Sequence, residues 1–366
     1  MKRLEILREM IYASWPLVAG VVFALVVLGV WNVYANSEYR HERMKKAFEA
    51  LSTAEKLEHW QERIQKVGAS AAYRELDESI HHFGSGRRHT EAHIFGEALY
   101  STEGLQGMAT CDSRFTYGCF HSFVLQAVLE EGTVATQKLY EGCKSALGPV
   151  SDNCEHGIGH GIMSTFEYNI EGLKKALVIC DSLSPPSHIV AGCAGGVFME
   201  YGVRSMVNEG STDMRPFVLE EVLEPCTSLS EPYLGSCAHW QTQWWISTAP
   251  ERDDDVEMAT KMGAWCKQMP GGERAYILCL EGIARRMISL TNGKPEKTAE
   301  FCARVTSDPD YQYKCQVMSA KRFAYYYPLT KAIRACDDLP PAQLATCQER
   351  TTAEDKWLLA HNAKYK

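Results

Sequence analysis

The longest uncharged stretch of the chain lies near its N-terminus. No charged residue occurs from Ile11 to Tyr34, and most positions there are Val, Leu, Ala or Gly. About 20 apolar residues in a helix cross the roughly 30 Å hydrocarbon core of a bilayer. The pattern therefore predicts a transmembrane anchor over residues 11–34 that contacts the lipid bilayer, preceded by a cytoplasmic tail at residues 1–10.

A cleaved signal peptide is the alternative interpretation, because Val33-Tyr34-Ala35 resembles a cleavage site. The apolar run is long for a signal peptide, and the acidic residues Glu5 and Glu9 precede it. These features favour an uncleaved anchor. Basic residues flank the run on both sides, so the charge pattern does not determine its orientation.

Beyond the anchor, the hydrophobic pattern indicates helices separated by breaks. Ser52-Thr53-Ala54-Glu55 is typical of a capping box and predicts a helix that runs to about Val67. A second helical stretch covers about residues 71–83, and we interpret residues 35–86 as a helical stalk or cap. Further along, amphipathic stretches such as residues 173–179 and 329–335 alternate with proline-containing segments.

Fourteen cysteines follow this segment, and none lies before residue 111. The even count indicates disulfides formed in an oxidising compartment, which places the C-terminal part in the periplasm or outside the cell. A metal–thiolate site is the alternative, but no CxxC spacing occurs. The cysteines form seven ordered pairs: Cys111 with Cys119, Cys143 with Cys154, Cys180 with Cys193, Cys226 with Cys237, Cys266 with Cys279, Cys302 with Cys315, and Cys336 with Cys347.

The spacing within a pair predicts that the chain reverses between the two cysteines. Eleven or thirteen positions of one helix span roughly 16–20 Å, whereas a disulfide needs Cα atoms within about 7 Å. Six of the seven intervals also contain proline, which cannot continue a helix. We therefore predict an all-α solenoid of about seven disulfide-linked αα-hairpins over residues 87–355, beginning with an atypical capping repeat and followed by a tail at residues 356–366.

Small residues recur where the second helix of a hairpin should begin, as at Gly157, Gly159, Gly196 and Gly282. Glycine destabilises the middle of a helix. A close approach between neighbouring backbones is the expected compensation.

This organisation resembles the Sel1-like branch of the tetratricopeptide-type repeat proteins, whose cysteine-rich secreted members link the two helices of each repeat by a disulfide. The resemblance covers roughly residues 87–355 and rests on repeat length, cysteine pairing and small residues at the packing seam. Only the pair of Cys111 and Cys119 has the spacing of that family. The resemblance implies a helical-repeat architecture and binding of a protein or glycan, and it assigns no functional residue.

Two histidine pairs recur at i,i+4 spacing, which places two imidazoles on one helix face. If the hairpins stack in register, both pairs and the histidine two residues after Cys119 should converge. We predict candidate ligands for zinc, copper or iron at His89, His93, His121, His156 and His160. Glu97, one turn beyond His93, is a candidate carboxylate ligand or catalytic base. The alternative is that these histidines are structural.

A second candidate site lies in the segment from His239 to Trp245. Trp240 and Trp244 share one helix face and, with His239, could stack on a sugar ring or anchor a partner protein. The alternative is a tryptophan-rich packing seam.

Composition narrows the function only in part. The chain has 366 residues and a net charge of −8, which gives no support for a nucleic-acid partner. The leading hypothesis is a membrane-tethered helical-repeat scaffold in the cell envelope that binds a protein or glycan partner. The alternative is a metal-dependent enzyme, a hydrolase, built on the histidines.

Overall fold

The computed structural model describes residues 48–112, 114–148, 151–183, 190, 192–204, 214–248 and 255–360. In these ranges the chain is helical and contains no strand, as predicted for an all-α protein. The predicted anchor at residues 11–34 lies outside them. Among the residues described, no helix is both long and apolar enough to cross a membrane.

The described residues form sixteen α-helices. The first eight are α1 Thr53–Val67, α2 Ala69–Ile80, α3 Ser85–Glu103, α4 Gly118–Glu131, α5 Ala135–Leu147, α6 Asp152–Ser164, α7 Ile170–Leu183 and α8 Cys193–Val203. The next eight are α9 Leu234–Thr248, α10 Asp255–Gln268, α11 Gly272–Arg285, α12 Met287–Leu290, α13 Thr298–Val305, α14 Pro309–Tyr326, α15 Leu329–Ala332 and α16 Pro341–Ala360.

The chain divides into a unit that ends at Lys56 and a second unit that begins at Leu57. In the first, the predicted capping box is present. The backbone N–H of Ser52 donates to Glu55 Oε2 at 2.8 Å, and the N–H of Glu55 donates to Ser52 Oγ at 3.3 Å. The features described below lie in the second unit.

Seven disulfides are present, and they use all fourteen cysteines in the predicted pairing. The Cα atoms of bonded partners are 5.6–6.1 Å apart. The bonds join Cys111 to Cys119, Cys143 to Cys154, Cys180 to Cys193, Cys226 to Cys237, Cys266 to Cys279, Cys302 to Cys315, and Cys336 to Cys347.

Each bond connects one helical segment to the next α-helix, so each pair closes a hairpin. We call the α-helix that carries the second cysteine the second arm. The second arms are α4 with Cys119, α6 with Cys154, α8 with Cys193, α9 with Cys237, α11 with Cys279, α14 with Cys315 and α16 with Cys347.

Three hairpins have a 3-10 helix where an α-helical first arm was expected. The segments are Gly104–Thr110, Cys226–Ser228 and Ile333–Cys336. The second one follows Pro225, which has no backbone N–H to donate to a helix. These hairpins are therefore asymmetric, and their second arms supply most of the regular structure.

The second arms pack on one another in chain order, from α3 and α4 through to α16. Glycines allow the closest approaches, as expected. A Cβ atom on Gly159 of α6 would lie 1.9 Å from the carbonyl oxygen of Cys193 on α8, and one on Gly196 would lie 1.9 Å from that of His156. Only glycine fits at these two positions, so the two backbones meet along a seam with no side chain between them.

The part of α1 after Lys56 and helix α2 pack on α3 through aromatic rings. The buried rings of Trp60 and Tyr73 lie 5.5 Å and 5.2 Å from that of Phe95. The Trp60 contact combines apolar burial with favourable edge-to-face geometry, and the Tyr73 ring packs at a tilt. These contacts position α3, which carries the first two candidate histidines.

Candidate metal centre

Three imidazoles from two neighbouring helices converge at one end of the row of second arms. His89 and His93 lie one turn apart on α3, and His121 lies near the start of α4. Each offers a ligand nitrogen, and the three nitrogens lie within 4.8 Å of one another. The Nε2 atoms of His89 and His93 are 3.0 Å apart. The i,i+4 pair and the shared register with His121 thus bring these rings together as expected.

A backbone carbonyl orients His89. Its Nδ1 lies 2.7 Å from the carbonyl oxygen of Phe115, so Nδ1–H is the donor and Nε2 keeps its lone pair. Histidines that bind metals commonly donate their second N–H to such an oxygen, which fixes the ring and its tautomer.

The loop that supplies this carbonyl has an unusual backbone. Phe115 and Tyr117 have φ of 56° and 62°, in the left-handed region that bulky residues rarely adopt. Arg114 holds the loop through ion pairs of 2.9 Å to Asp77 and to Asp112. Strained backbone persists where its surroundings enforce it, often beside functional groups. Here it places the carbonyl of Phe115 against His89.

Electrostatics favours the neutral form of His121. Burial, followed by the neighbouring His89 and His160, holds the pKa of His121 well below its usual range. A proton on this ring would be poorly solvated and would repel any charge on the other rings. A neutral imidazole is also the form that binds a metal ion.

The second predicted pair continues the row. The ring of His160 lies 5.4 Å from that of His121, and the ring of His156 lies 4.8 Å from that of His160. Both are buried and lie beside the three converging imidazoles without belonging to that group. The five predicted histidines therefore form one continuous row of rings across three helices.

His160 is held by a carboxylate that sequence reasoning did not identify. Its Nδ1 lies 2.8 Å from Glu200 Oε2, and the hydroxyl of Tyr168 donates to Glu200 Oε1 at 2.8 Å. Glu200 is fully buried on α8. It lies seven residues after Cys193, and this offset from the second cysteine of its hairpin was the sequence signal that could have identified it.

Glu97 lies on α3 one turn beyond His93 and is only partly buried. Its backbone carbonyl accepts a hydrogen bond of 2.9 Å from Ser101 Oγ. The converging group described above contains three histidines and no carboxylate. Glu97 thus remains a candidate that the geometry does not bring into the centre.

The cysteines serve as crosslinks between helices and supply no metal ligand. All fourteen sulfurs are bonded in pairs, so none is a thiolate. The second-arm cysteines Cys237, Cys279 and Cys347 are at most 1% exposed. The metal–thiolate alternative therefore has no support in this structure, and the imidazoles are the ligands to consider.

The tryptophans of α9 are packed into the protein. Trp244 is 1% exposed, and its indole N–H donates to the Arg215 carbonyl at 2.8 Å. Trp240 is partly exposed, donates to the Val190 carbonyl at 2.7 Å, and lies 4.8 Å from the ring of His156. The two rings do not present a shared exposed platform, and Trp240 instead extends the histidine row.

The three converging imidazoles suit a transition metal with an open coordination position. Nitrogens bound tetrahedrally to zinc at 2.0–2.1 Å lie about 3.3 Å from one another, so the rings need to move inward by about 1 Å. Three protein ligands leave a fourth place for water or substrate, which is the arrangement of catalytic zinc sites.

Comparisons with known protein families, curated proteins and solved structures find no match. A function therefore rests on the residues themselves.

Proposed function

We propose that this chain is an extracytoplasmic metal-dependent hydrolase whose metal is held by His89, His93 and His121. The observation that carries the proposal is the convergence of three imidazole nitrogens within 4.8 Å of one another. Zinc is the ion that best fits a site of three neutral imidazoles without thiolates, and copper and iron are the alternatives.

The surroundings of the three rings support metal binding over a purely structural role. His89 is fixed by the Phe115 carbonyl with Nε2 facing Nε2 of His93. When two neutral imidazoles face each other in this way, at most one proton can lie between their Nε2 atoms. A metal ion in the same place would accept a lone pair from each ring. The low pKa of His121 keeps the third ring in the ligand form.

A metal held by His89, His93 and His121 would supply an activated water for hydrolysis of an ester, amide or phosphate bond. A zinc ion with three imidazole ligands lowers the pKa of its water to about 7. His160 lies beside His121 and is oriented by Glu200, which suits it to accept the water proton and pass it to the leaving group.

The same proposal includes the compartment and the architecture. Seven disulfides support an oxidising environment, and the apolar run at residues 11–34 supports a tether that leaves the helical part in the periplasm or outside the cell. Hairpins packed in chain order support a solenoid-type repeat array of the Sel1-like kind.

Metal analysis of the full-length protein in detergent tests this function. The expected result is close to one equivalent of a transition metal per chain. Metal content should fall to background in His93→Ala and His121→Ala, and stay unchanged in the control His82→Ala, since His82 is exposed on the segment before α3. Metal-free wild type that also fails to bind added zinc, copper or iron would refute the proposal.

A scaffold that binds a protein partner is the second candidate, and one observation favours it. Leu129 and Val134, at the end of α4 and just after it, are 55% and 82% exposed. Large exposed apolar side chains mark contact surfaces when they are grouped. If this surface is the functional one, Leu129→Glu with Val134→Glu should abolish partner capture in crosslinking and leave metal content unchanged.

A further inference from the structure

A cluster of arginines continues the row beyond Trp240. Arg286 follows the last residue of α11, and Arg322 lies on α14. Each is seven residues after the second cysteine of its hairpin, so the two occupy equivalent places in adjacent hairpins. Arg285 precedes Arg286, and the three guanidinium groups influence one another electrostatically.

Each of the two central arginines is already oriented by neutral groups. Arg286 donates from Nη2 to Gln243 Oε1, and its guanidinium carbon lies 5.4 Å from the centre of the Trp240 ring. Arg322 donates from Nη2 to the hydroxyl oxygen of Tyr326 at 2.7 Å. These contacts fix the planar groups, and the side chains that make them are neutral.

Arg286 lies where it is poorly solvated and other cations act on it. Burial and then Arg322 lower the pKa of Arg286 to about 9. Glu281 and Glu354 act on Arg285, and Glu354 is also paired with Lys321 at 2.7 Å. Within the described residues, no carboxylate is among the groups that act on Arg286. Crowded cations of this kind are stabilised by an anion.

Two buried polar atoms, on side chains that both lie 5.4 Å from the Trp240 ring, lack hydrogen-bond partners among the described residues. They are Nε of Arg286, a donor, and Nε2 of His239. Nδ1 of His239 lies 3.1 Å from the Leu278 carbonyl and therefore donates to it, which makes Nε2 an acceptor. The ring of His239 lies 5.4 Å from that of Trp240, and burial and then Arg285 and Arg286 hold its pKa low. An unpaired buried polar atom is costly, and a bound ligand would satisfy both.

We propose that Arg286, Arg322, Gln243 and His239 form a binding site for a ligand that carries an oxyanion, a carboxylate or phosphate group, beside a hydroxyl group. The guanidinium groups bind the oxyanion, for which their paired N–H donors are shaped. The hydroxyl donates to Nε2 of His239, and the face of Trp240 lines the site.

The site reaches the histidine row through Trp240. The ring of Trp240 lies 4.8 Å from that of His156 and 5.4 Å from the guanidinium carbon of Arg286.

The oxyanion site thus adjoins the histidine row through Trp240 and His156 and, resting on the proposed hydrolase function, would select an anionic substrate for the candidate metal centre. Oxyanion binding itself needs no metal and can be tested without one.

Binding is measured by calorimetry and by thermal unfolding of the full-length protein in detergent, after removal of metals with a chelator. The probes are inorganic phosphate and glycolate, with chloride at equal ionic strength as the control. At least one probe should raise Tm saturably, and chloride should not. Phosphate binding alone would identify a phosphate site, and glycolate binding alone a carboxylate site.

Arg286→Gln and Arg322→Gln should each weaken probe binding by about tenfold or more, the effect of losing one charge-assisted contact. Arg334→Gln should not, because Arg334 is about half exposed and pairs with Glu296 at 3.8 Å. Without a probe, Arg286→Gln should keep or raise Tm because it removes like-charge repulsion. The proposal is overturned if neither probe binds wild type, if all three variants bind equally, or if Arg286→Gln only lowers Tm. Metal content has no part in this readout, so its failure is distinct from failure of the hydrolase proposal.

Discussion

The imidazole ring of His121 lies 5.4 Å from that of His160, although the two residues belong to successive disulfide-linked hairpins. This contact joins the His89 and His93 pair to the His156 and His160 pair. It depends on how closely α4, α6 and α8 approach one another. The histidine row is therefore a property of the packing between hairpins, and stability at that packing should control it.

Two glycines of α6 provide a matched test of this packing. Gly159→Ala would place its Cβ 1.9 Å from the Cys193 carbonyl and force two backbones apart, so we expect a loss of more than about 3 kcal/mol. In Gly157→Ala the nearest atom is a ring carbon of His121 at 3.5 Å, an ordinary contact. That control should be stabilised by about 0.5–1 kcal/mol because helix propensity improves. Denaturant unfolding measures both, and equal effects would contradict the close-packed seam.

Removal of the Glu200 carboxylate should lower the free energy of unfolding more than removal of either group that donates to it, His160 Nδ1–H or the Tyr168 hydroxyl. Glu200→Leu leaves His160 Nδ1–H and the Tyr168 hydroxyl without their buried acceptor, so we expect a loss of about 3 kcal/mol or more. Tyr168→Phe removes one donor only and should cost about 1 kcal/mol. Urea unfolding of both variants checks the ranking. The reverse order would mean that the carboxylate is not the centre of this network.

His239 should make the metal-free protein sensitive to acid. Its pKa is held well below 6.5 in the folded state, chiefly by burial, whereas the unfolded chain has the ordinary value. Above pH 6.5 both states are neutral at this ring. Below pH 6.5 the ring is protonated in the unfolded state but stays neutral in the folded state. The free energy of unfolding therefore falls as the pH decreases towards the folded pKa.

The matched variant is His239→Asn, whose side-chain amide can still donate to the Leu278 carbonyl but does not titrate in this range. Between pH 7 and pH 5 the wild type should lose about 2 kcal/mol more than the variant. Guanidinium chloride unfolding at the two pH values measures the difference. Equal losses would show that His239 is protonated as readily in the folded chain as in the unfolded one.

Each disulfide should act on its own hairpin. Replacing Cys143 and Cys154 together by serine opens a bond with a sequence separation of 11 and should cost about 2–3 kcal/mol, mainly by enlarging the unfolded ensemble. Non-reducing peptide mapping of this variant should still find the other six bonds. Rearranged pairs would show that the hairpins do not select their cysteines locally.

The cysteine pairs could be predicted because spacing and proline together leave the chain few ways to close a bond, as with Cys302 and Cys315 on either side of Pro309. Histidine convergence could also be predicted, since His121 and His156 share one offset from their cysteines. The face of a helix that turns towards the protein interior could not always be predicted from the sequence. Every residue of α6 from Cys154 to Met163 is buried, so the sequence pattern has no polar side to identify an outer face.

Other parts of the site depend on tertiary contacts that leave no local signal. The left-handed backbone of Phe115, which presents its carbonyl to His89, occurs at a residue type that rarely adopts it. Arg286 and Arg322 share a register with Glu200, but only packing shows that the arginines meet each other and that Glu200 meets His160.

Since every disulfide closes a loop within one hairpin, the contacts between hairpins bear any mechanical load without covalent help. When the two ends of the oxidised chain are pulled, the second arms should separate first, along the glycine seams. The residues inside each disulfide-closed loop cannot extend, so each loop should shorten the fully extended chain by its own length. His121 and His160, which belong to different hairpins, would part at those early steps. Tension would thereby divide the histidine row well before the chain is fully extended.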